Sequence, residues 1–169
     1  MNATLPLFAT QQTKQFHFEG NLPHQQRAVD SVLAVLENVT FDKPNKQMLL
    51  VSNPIAPKDK PLGLSDYPKS IEAVQKHNDI VGQTIKSESN VLDISMETGT
   101  GKTYTYTKMM FELNKQLHLF KFVVVVPTLP IKAGTVNFLK SQASQEHFAT
   151  NYQNRSIRCH IVESQSGRR

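Results

Sequence analysis

Hydrophobic positions change their period along this chain, and the changes outline its elements. From Pro23 onward Ala28, Val29, Val32, Leu33 and Leu36 follow helical spacing and share one face. Pro23 suits the first turn of such a helix, and Asn38 suits its stop. Before it, the polar segment 1–20 alternates only at Phe16 and Phe18 around His17, a short strand at most. After it, the apolar run Met48 to Val51 is a candidate strand. The stretch from there to Lys69 carries Pro54, Pro57, Pro61 and Pro68, and prolines at that density interrupt any regular element. We read it as an insertion loop or an ordered excursion, followed by a short helix over Ser70 to His77.

Beyond Asn90 the texture alternates. Val91 to Ser95 reads as a strand, Met96 to Thr103 as a glycine-bearing loop, and Tyr104 to Leu117 as a helix with Tyr106, Met109, Met110, Leu113 and Leu117 on one face. Phe122 to Val126 is a continuous β-branched run of the kind buried on both faces of a parallel sheet, and Pro127 ends it. Ile131 to Leu139 returns to helical spacing, and Ile157 to Val162 alternates like a further strand. Strand, loop, helix, strand, helix, strand predicts an α/β fold with a mostly parallel sheet. The change of texture divides the chain into an N-terminal segment, 1–89, and a second unit, 90–169. No internal repeat is visible.

Composition narrows the picture only in part. At 169 residues the chain suits one compact domain, and its 38% apolar content lies somewhat below the globular average of about 45–50%, a scale that also counts glycine. The net charge of +5 is dispersed from Lys14 to Arg169, as on a solvated surface; it permits a polyanionic partner without requiring one. The single cysteine, Cys159, excludes an internal disulfide, fits a reducing compartment and, lying in a predicted strand, reads as a buried inert thiol. The N-terminus carries no basic, apolar export pattern, and no run approaches the roughly 18 apolar residues of a membrane span. These features predict a cytoplasmic protein with no membrane partner, so the glycosylation-like triplets at Asn2, Asn38 and Asn154 read as coincidence. The histidines, His17, His24, His77, His118, His147 and His160, show no metal-ligand spacing with Cys159.

The chemistry concentrates in Thr98-Gly99-Thr100-Gly101-Lys102-Thr103. A phosphate-binding loop turns backbone N–H groups toward the anion, which requires glycine where a side chain would clash, and the next helix adds the positive end of its dipole. Lys102 is placed to reach the β and γ phosphates of a nucleotide, and the Thr103 hydroxyl is placed as a magnesium ligand. The strict consensus asks for a glycine at position 96, where this chain has methionine. A chance occurrence of Gly-x-Gly-Lys-Thr is on the order of one chain in a few hundred, and its place between a predicted strand and a predicted helix lowers that further. Glu97 lies inside the loop, where positioning is a better role than general base.

With that loop, the segments Phe111-Glu112-Leu113-Asn114 and Phe122 to Pro127 closely resemble the start of the Res subunit of type III restriction-modification enzymes, superfamily 2 helicase-like ATPases joined to a nuclease. The resemblance extends forward through Ile131 to Thr135 and His160 to Ser164, and backward to Leu22-Pro23-His24-Gln25-Gln26-Arg27-Ala28-Val29. It implies a partial RecA-like P-loop lobe preceded by a helical segment bearing a Q-motif-like helix. It also implies ATP and magnesium as cofactors, with DNA and the modification methyltransferase subunit as partners of the full-length enzyme. By the same resemblance Gln25 would contact adenine; read from the residues alone, it is a surface glutamine at a helix start. The family usually carries an aromatic residue where this chain has His24. Pro127 and Thr128 match the segment that touches the nucleic-acid backbone in such motors; without the resemblance they are a strand terminator and a helix cap.

An ATPase of this class also needs an acidic pair at the end of a later strand. After Thr103 the only acids are Glu112, Glu146 and Glu163, none of them paired. A second motor lobe and the acids of a nuclease are equally missing from these residues. The expectation is therefore an N-terminal fragment of a Res subunit, resembling an ATP-dependent site-specific deoxyribonuclease but inactive alone. Two alternatives remain open on the residues: a noncatalytic module that binds DNA or the modification subunit, and a small P-loop kinase.

Overall fold

The computed structural model describes residues 18–20, 22–37, 52–54, 67–80 and 91–162. The candidate strand Met48 to Val51, most of the proline-bearing segment and Phe16 lie outside them. Five helices are described: α1 (Pro23–Leu36), α2 (Tyr67–His77), α3 (Lys102–Leu117), α4 (Leu129–Lys140) and α5 (Gln142–Asn151).

Helix α1 forms where its period predicts, but its buried face is turned: Leu33 and Leu36 are half-buried, and Val35 takes their place in the interior. Ala28, Val29, Val32 and Val35 are buried, α3 packs on the helix and so does α2. Helix α2 begins at Tyr67, three residues earlier than expected, because Pro68 falls in its first turn, where a missing N–H costs nothing. Helix α3 likewise starts earlier, at Lys102, so the candidate phosphate lysine and magnesium threonine are its first two residues. It ends at His118 in the left-handed conformation (φ 58°), whose N–H donates to the carbonyls of Leu113 and Asn114.

The buried side of α3 is not the one the apolar spacing indicates. Tyr104, Thr105, Thr107, Lys108 and Phe111 are buried, whereas Tyr106, Met109, Met110, Leu113 and Leu117 are half-buried. Aromatic packing and the arrival of α1 together select the first set. Phe111 stacks on Phe148 of α5 at 4.9 Å between centroids and on Tyr152 at 4.8 Å, and Tyr104 lies 5.3 Å from Phe148. Phe18, Phe138 and Ile157 close the cluster. Helix α5 has no counterpart among the sequence expectations. The Ser141 hydroxyl caps it by accepting from Ser144 N, and Phe148, 3% exposed, supplies its anchor.

Among the described residues, the predicted strands 91–95, 122–126 and 157–162 form neither helix nor ladder, and helices are the regular elements present. The mostly parallel sheet is therefore not part of what is described. Strand propensity is a property of the segment, whereas a ladder needs a neighbour in register. Val123 and Val125 stand 90% and 88% exposed, and Phe122 and Val124 are exposed too, at 36% and 39%, so the segment expected to be buried on both faces is buried on neither. Its entrance is nevertheless fixed. Asn53 Oδ1 accepts from Phe120 N and Lys121 N, both at 2.8 Å, and Asn53 Nδ2 donates to Lys121 O at 2.8 Å. The later segment is tied to α4 where Lys132 Nζ donates to Val162 O at 3.4 Å. Cys159, expected to be buried, is a half-buried free thiol.

Polar groups around the aromatic cluster are paired. Tyr152 Oη donates to Glu112 Oε1 at 2.8 Å, and burial together with that carboxylate pushes the Tyr152 phenol well above its ordinary range. Tyr104 Oη and His147 Nε2 lie 2.9 Å apart; burial raises the phenol, while burial and then the Lys108 charge hold the imidazole below its usual 6.5.

Two outcomes follow from this core. Phe148→Ala removes the ring against which Tyr104, Phe111, Phe138, His147 and Tyr152 all pack, and urea unfolding should show a loss of about 3–5 kcal/mol. Because the folded state depresses His147, the unfolded chain takes up its proton first, so that stability is complete above the ordinary imidazole range and declines as pH falls through it. The thermal midpoint of the wild type should therefore fall more steeply between about pH 7 and pH 5 than that of His147→Gln, which accepts the same hydrogen bond but does not titrate.

Candidate functional site

The loop between segment 91–97 and α3 is built on one carbonyl. Glu97 O accepts from Thr100 N at 3.5 Å, from Thr100 Oγ1 at 2.7 Å and from Lys102 Nζ at 2.6 Å. These bonds close a turn over Glu97 to Thr100, with Gly99 at its third position and φ 84°, the left-handed region that favours glycine. A Cβ at Gly99 would meet only open space, so backbone conformation alone dictates this glycine.

Gly101 is governed by both conformation and space. It takes φ 84° and ψ 36° as the N-cap of α3 and offers no side-chain cap. Its carbonyl accepts the first helical bond, from Thr105 N at 2.9 Å, which leaves the N–H groups of the first turn without intrahelical acceptors. A Cβ at Gly101 would overlap the carboxamide nitrogen of Gln25. The close approach couples the loop to α1: Gln25 Nε2 donates to Thr100 O at 3.0 Å, and His24 Nε2 lies 3.0 Å from the same oxygen and donates to it.

Gln25 is 4% exposed, and its Oε1 is a buried acceptor with no hydrogen-bond partner. Such an atom costs on the order of 1–3 kcal/mol, and an orphaned acceptor beside a ligand loop marks a place where a donor belongs. The sequence placed Gln25 on a helix start; its contact with the loop and its burial come from the packing of α1 on α3.

The structure thus brings Gln25, Thr98, Gly99, Thr100, Gly101, Lys102 and Thr103 together. Lys102 is exposed and Thr103 half-buried, with the Thr103 carbonyl accepting from Thr107 Oγ1 at 2.7 Å. Pro127 and Thr128 lie apart, at the entrance to α4, where both are exposed and Thr128 Oγ1 accepts from Ile131 N at 3.4 Å. Thr128 therefore caps α4. Sequence reasoning did not find Lys108, a buried cation whose Nζ donates to Gln26 Oε1 at 2.6 Å. A lysine on a helix reads as solvated, and only the arrival of α1 buries it.

A glycine-supported turn feeding a helix N-terminus, with lysine at its first position and threonine at its second, has the architecture of a phosphate-binding loop. The family model for the type III restriction enzyme Res subunit matches residues 21–166, and the chain belongs to that family, whose domain implies a RecA-like P-loop fold. Its relatives include the EcoPI Res subunit of Escherichia phage P1, 49% identical over 156 residues, and the EcoP15I Res subunit of Escherichia coli, 46% identical over 156 residues. Each alignment covers 90% of this chain and 16% of the relative. The StyLTI Res subunit of Salmonella typhimurium is 47% identical over 77 residues, 46% of this chain and 8% of its own. The chain thus spans about a sixth of the length of the curated relatives it matches.

Gly101→Ala imposes a left-handed conformation on a residue with a side chain and drives its methyl group into the Gln25 carboxamide. We expect a loss of about 1–3 kcal/mol in urea unfolding, and a smaller loss for Gly99→Ala, which meets no neighbour.

Proposed function

We propose that this chain binds ATP with magnesium through the loop Thr98 to Thr103, as the N-terminal part of the first motor lobe of a type III Res subunit. The observation that carries the reading is the Gly99/Gly101 turn delivering Lys102 and Thr103 onto the first turn of α3. The residues fit the ligand. Backbone N–H groups of the α3 N-terminus would receive phosphate oxygens, and the Lys102 ammonium would exchange the Glu97 carbonyl for the β and γ phosphates. Thr103 would hold magnesium, which when bound supplies positive charge that neutralises the phosphates. The orphaned acceptor of Gln25 suits the exocyclic amine of adenine, an account of that atom which its surface-glutamine reading does not offer.

In this proposal the segments Val91 to Ser95, Phe122 to Val126 and Ile157 to Val162 join a mostly parallel sheet of the RecA-like lobe, and 1–89 forms the segment carrying the Q-motif-like helix. Pro127 and Thr128 face the DNA backbone in the full-length enzyme, which with its modification subunit performs ATP-dependent translocation and cleavage in the cytoplasm. The chain's own share is binding. Of the acids after Thr103, Glu112 accepts from Tyr152 and Glu146 from Gln142 at 2.7 Å, and neither stands in the tandem pair that would activate water.

Calorimetric titration of the 169-residue chain with magnesium and ATP tests the reading. Lys102→Ala should weaken binding at least tenfold, about 1.4 kcal/mol. An unchanged affinity would favour a noncatalytic binding module, and DNA-stimulated turnover by the isolated chain would refute the assignment to binding alone.

A further inference from the structure

Lys108 is the one buried ammonium among the described residues, at 7% exposure, and the proposed phosphate chemistry does not use it. Its Nζ donates to Gln26 Oε1 at 2.6 Å across 82 residues of sequence, and Gln26 Nε2 in turn donates to Asp30 Oδ1 at 2.7 Å. The Gln26 amide thus links a buried cation on α3 to a solvated carboxylate one turn further along α1. Burying an ammonium is costly unless it is hydrogen-bonded, so Lys108 draws Gln26 toward α3 and holds it there.

The consequence lies one residue away. His24, Gln25 and Gln26 are successive residues in the first turn of α1, whose N-cap, Leu22, provides no side-chain cap. Side chains there project about 100° apart, and all three are tied to the unit formed by the loop and α3: His24 and Gln25 to the Thr100 carbonyl, Gln26 to Lys108. The bonds to Thr100 fix where the helix end sits. The Lys108 bond, on a different azimuth, fixes its rotation, and rotation decides how the Gln25 carboxamide meets Gly101, where there is no room for a single added carbon.

We propose that Lys108, acting through Gln26, is a positioning residue that sets the Gln25 carboxamide for the nucleotide base. The inference rests on the ATP-binding reading above and adds a division of labour to it: the loop and Lys102 hold phosphates, while the Lys108–Gln26 clamp governs the base.

The test compares three probes, each with magnesium, on the full chain: ATP, GTP and inorganic tripolyphosphate, which has no base. Lys108→Met should weaken ATP binding about tenfold and reduce the preference for ATP over GTP, while tripolyphosphate affinity stays within about twofold of the wild type. Lys108→Arg, which can still donate to Gln26, should restore most of the preference. Gln26→Leu removes the acceptor from a half-buried position and should reproduce the base-selective loss. If Lys108→Met loses all three probes through misfolding, Gln26→Leu decides. Wild-type selectivity in Gln26→Leu, or an equal loss of ATP and tripolyphosphate in both variants, would overturn the proposal. A wild-type chain that binds neither ATP nor tripolyphosphate refutes the ATP-binding reading instead, and the clamp's role in base recognition with it.

Discussion

The close approach of the Gln25 carboxamide to Gly101 is the constraint on which the rest of the described structure depends. It requires a glycine with positive φ at the N-cap of α3, and it requires α1 to lie directly against that helix. Once the contact is made, Ala28, Val29, Val32 and Val35 are committed to burial and the Thr100 carbonyl becomes a shared acceptor. A segment distant in sequence thereby becomes one wall of the loop. Neither polar contact is strong alone, since a net hydrogen bond is worth about 0.5–1.5 kcal/mol. Apolar burial along α1 supplies the attraction, and the polar contacts select the register.

Helix α3 is where local and tertiary demands meet. Its first turn carries the loop chemistry, its buried side receives α1 and the aromatic residues of α5, and its other apolar side is half-covered. The aromatic cluster therefore fixes the direction in which α3 presents its N-terminus. Phe111, Phe148 and Tyr152 lie nearly parallel, with interplanar angles of 12° and 17° at Phe111, an arrangement that leaves little freedom for axial rotation.

Much of this was legible in the sequence, and the rest was hidden for identifiable reasons. Helices α1 and α3 announce themselves by period, and the loop by glycines that only a left-handed backbone explains. Helix α5 stays silent because its buried side is carried by Ser144 and Phe148, and a serine in that period reads as polar surface. The buried side of α3 was misjudged because Met109 and Met110 look more apolar than Thr105, Thr107 and Lys108, yet those threonines bury readily once their hydroxyls bond to carbonyls four residues back, at 3.1 and 2.7 Å. The burial of Lys108 and of Gln25 was beyond reach of the residues alone, since both arise from a contact between segments far apart in the chain. The sheet was legible only as propensity: Phe122 to Val126 has the composition of a strand, but pairing depends on neighbours that its own residues do not encode.

That segment has a bearing on how the chain behaves as a material. Asn53 bonds the backbone at its entrance, Pro127 follows its end, and between them the valines carry no charge, with Val123 and Val125 almost fully open to water. An uncharged β-branched strip of this kind is a template for any passing backbone. Solubility in this protein is therefore governed less by its net charge than by whatever occupies those few residues, and colloidal stability becomes a readout of strand pairing.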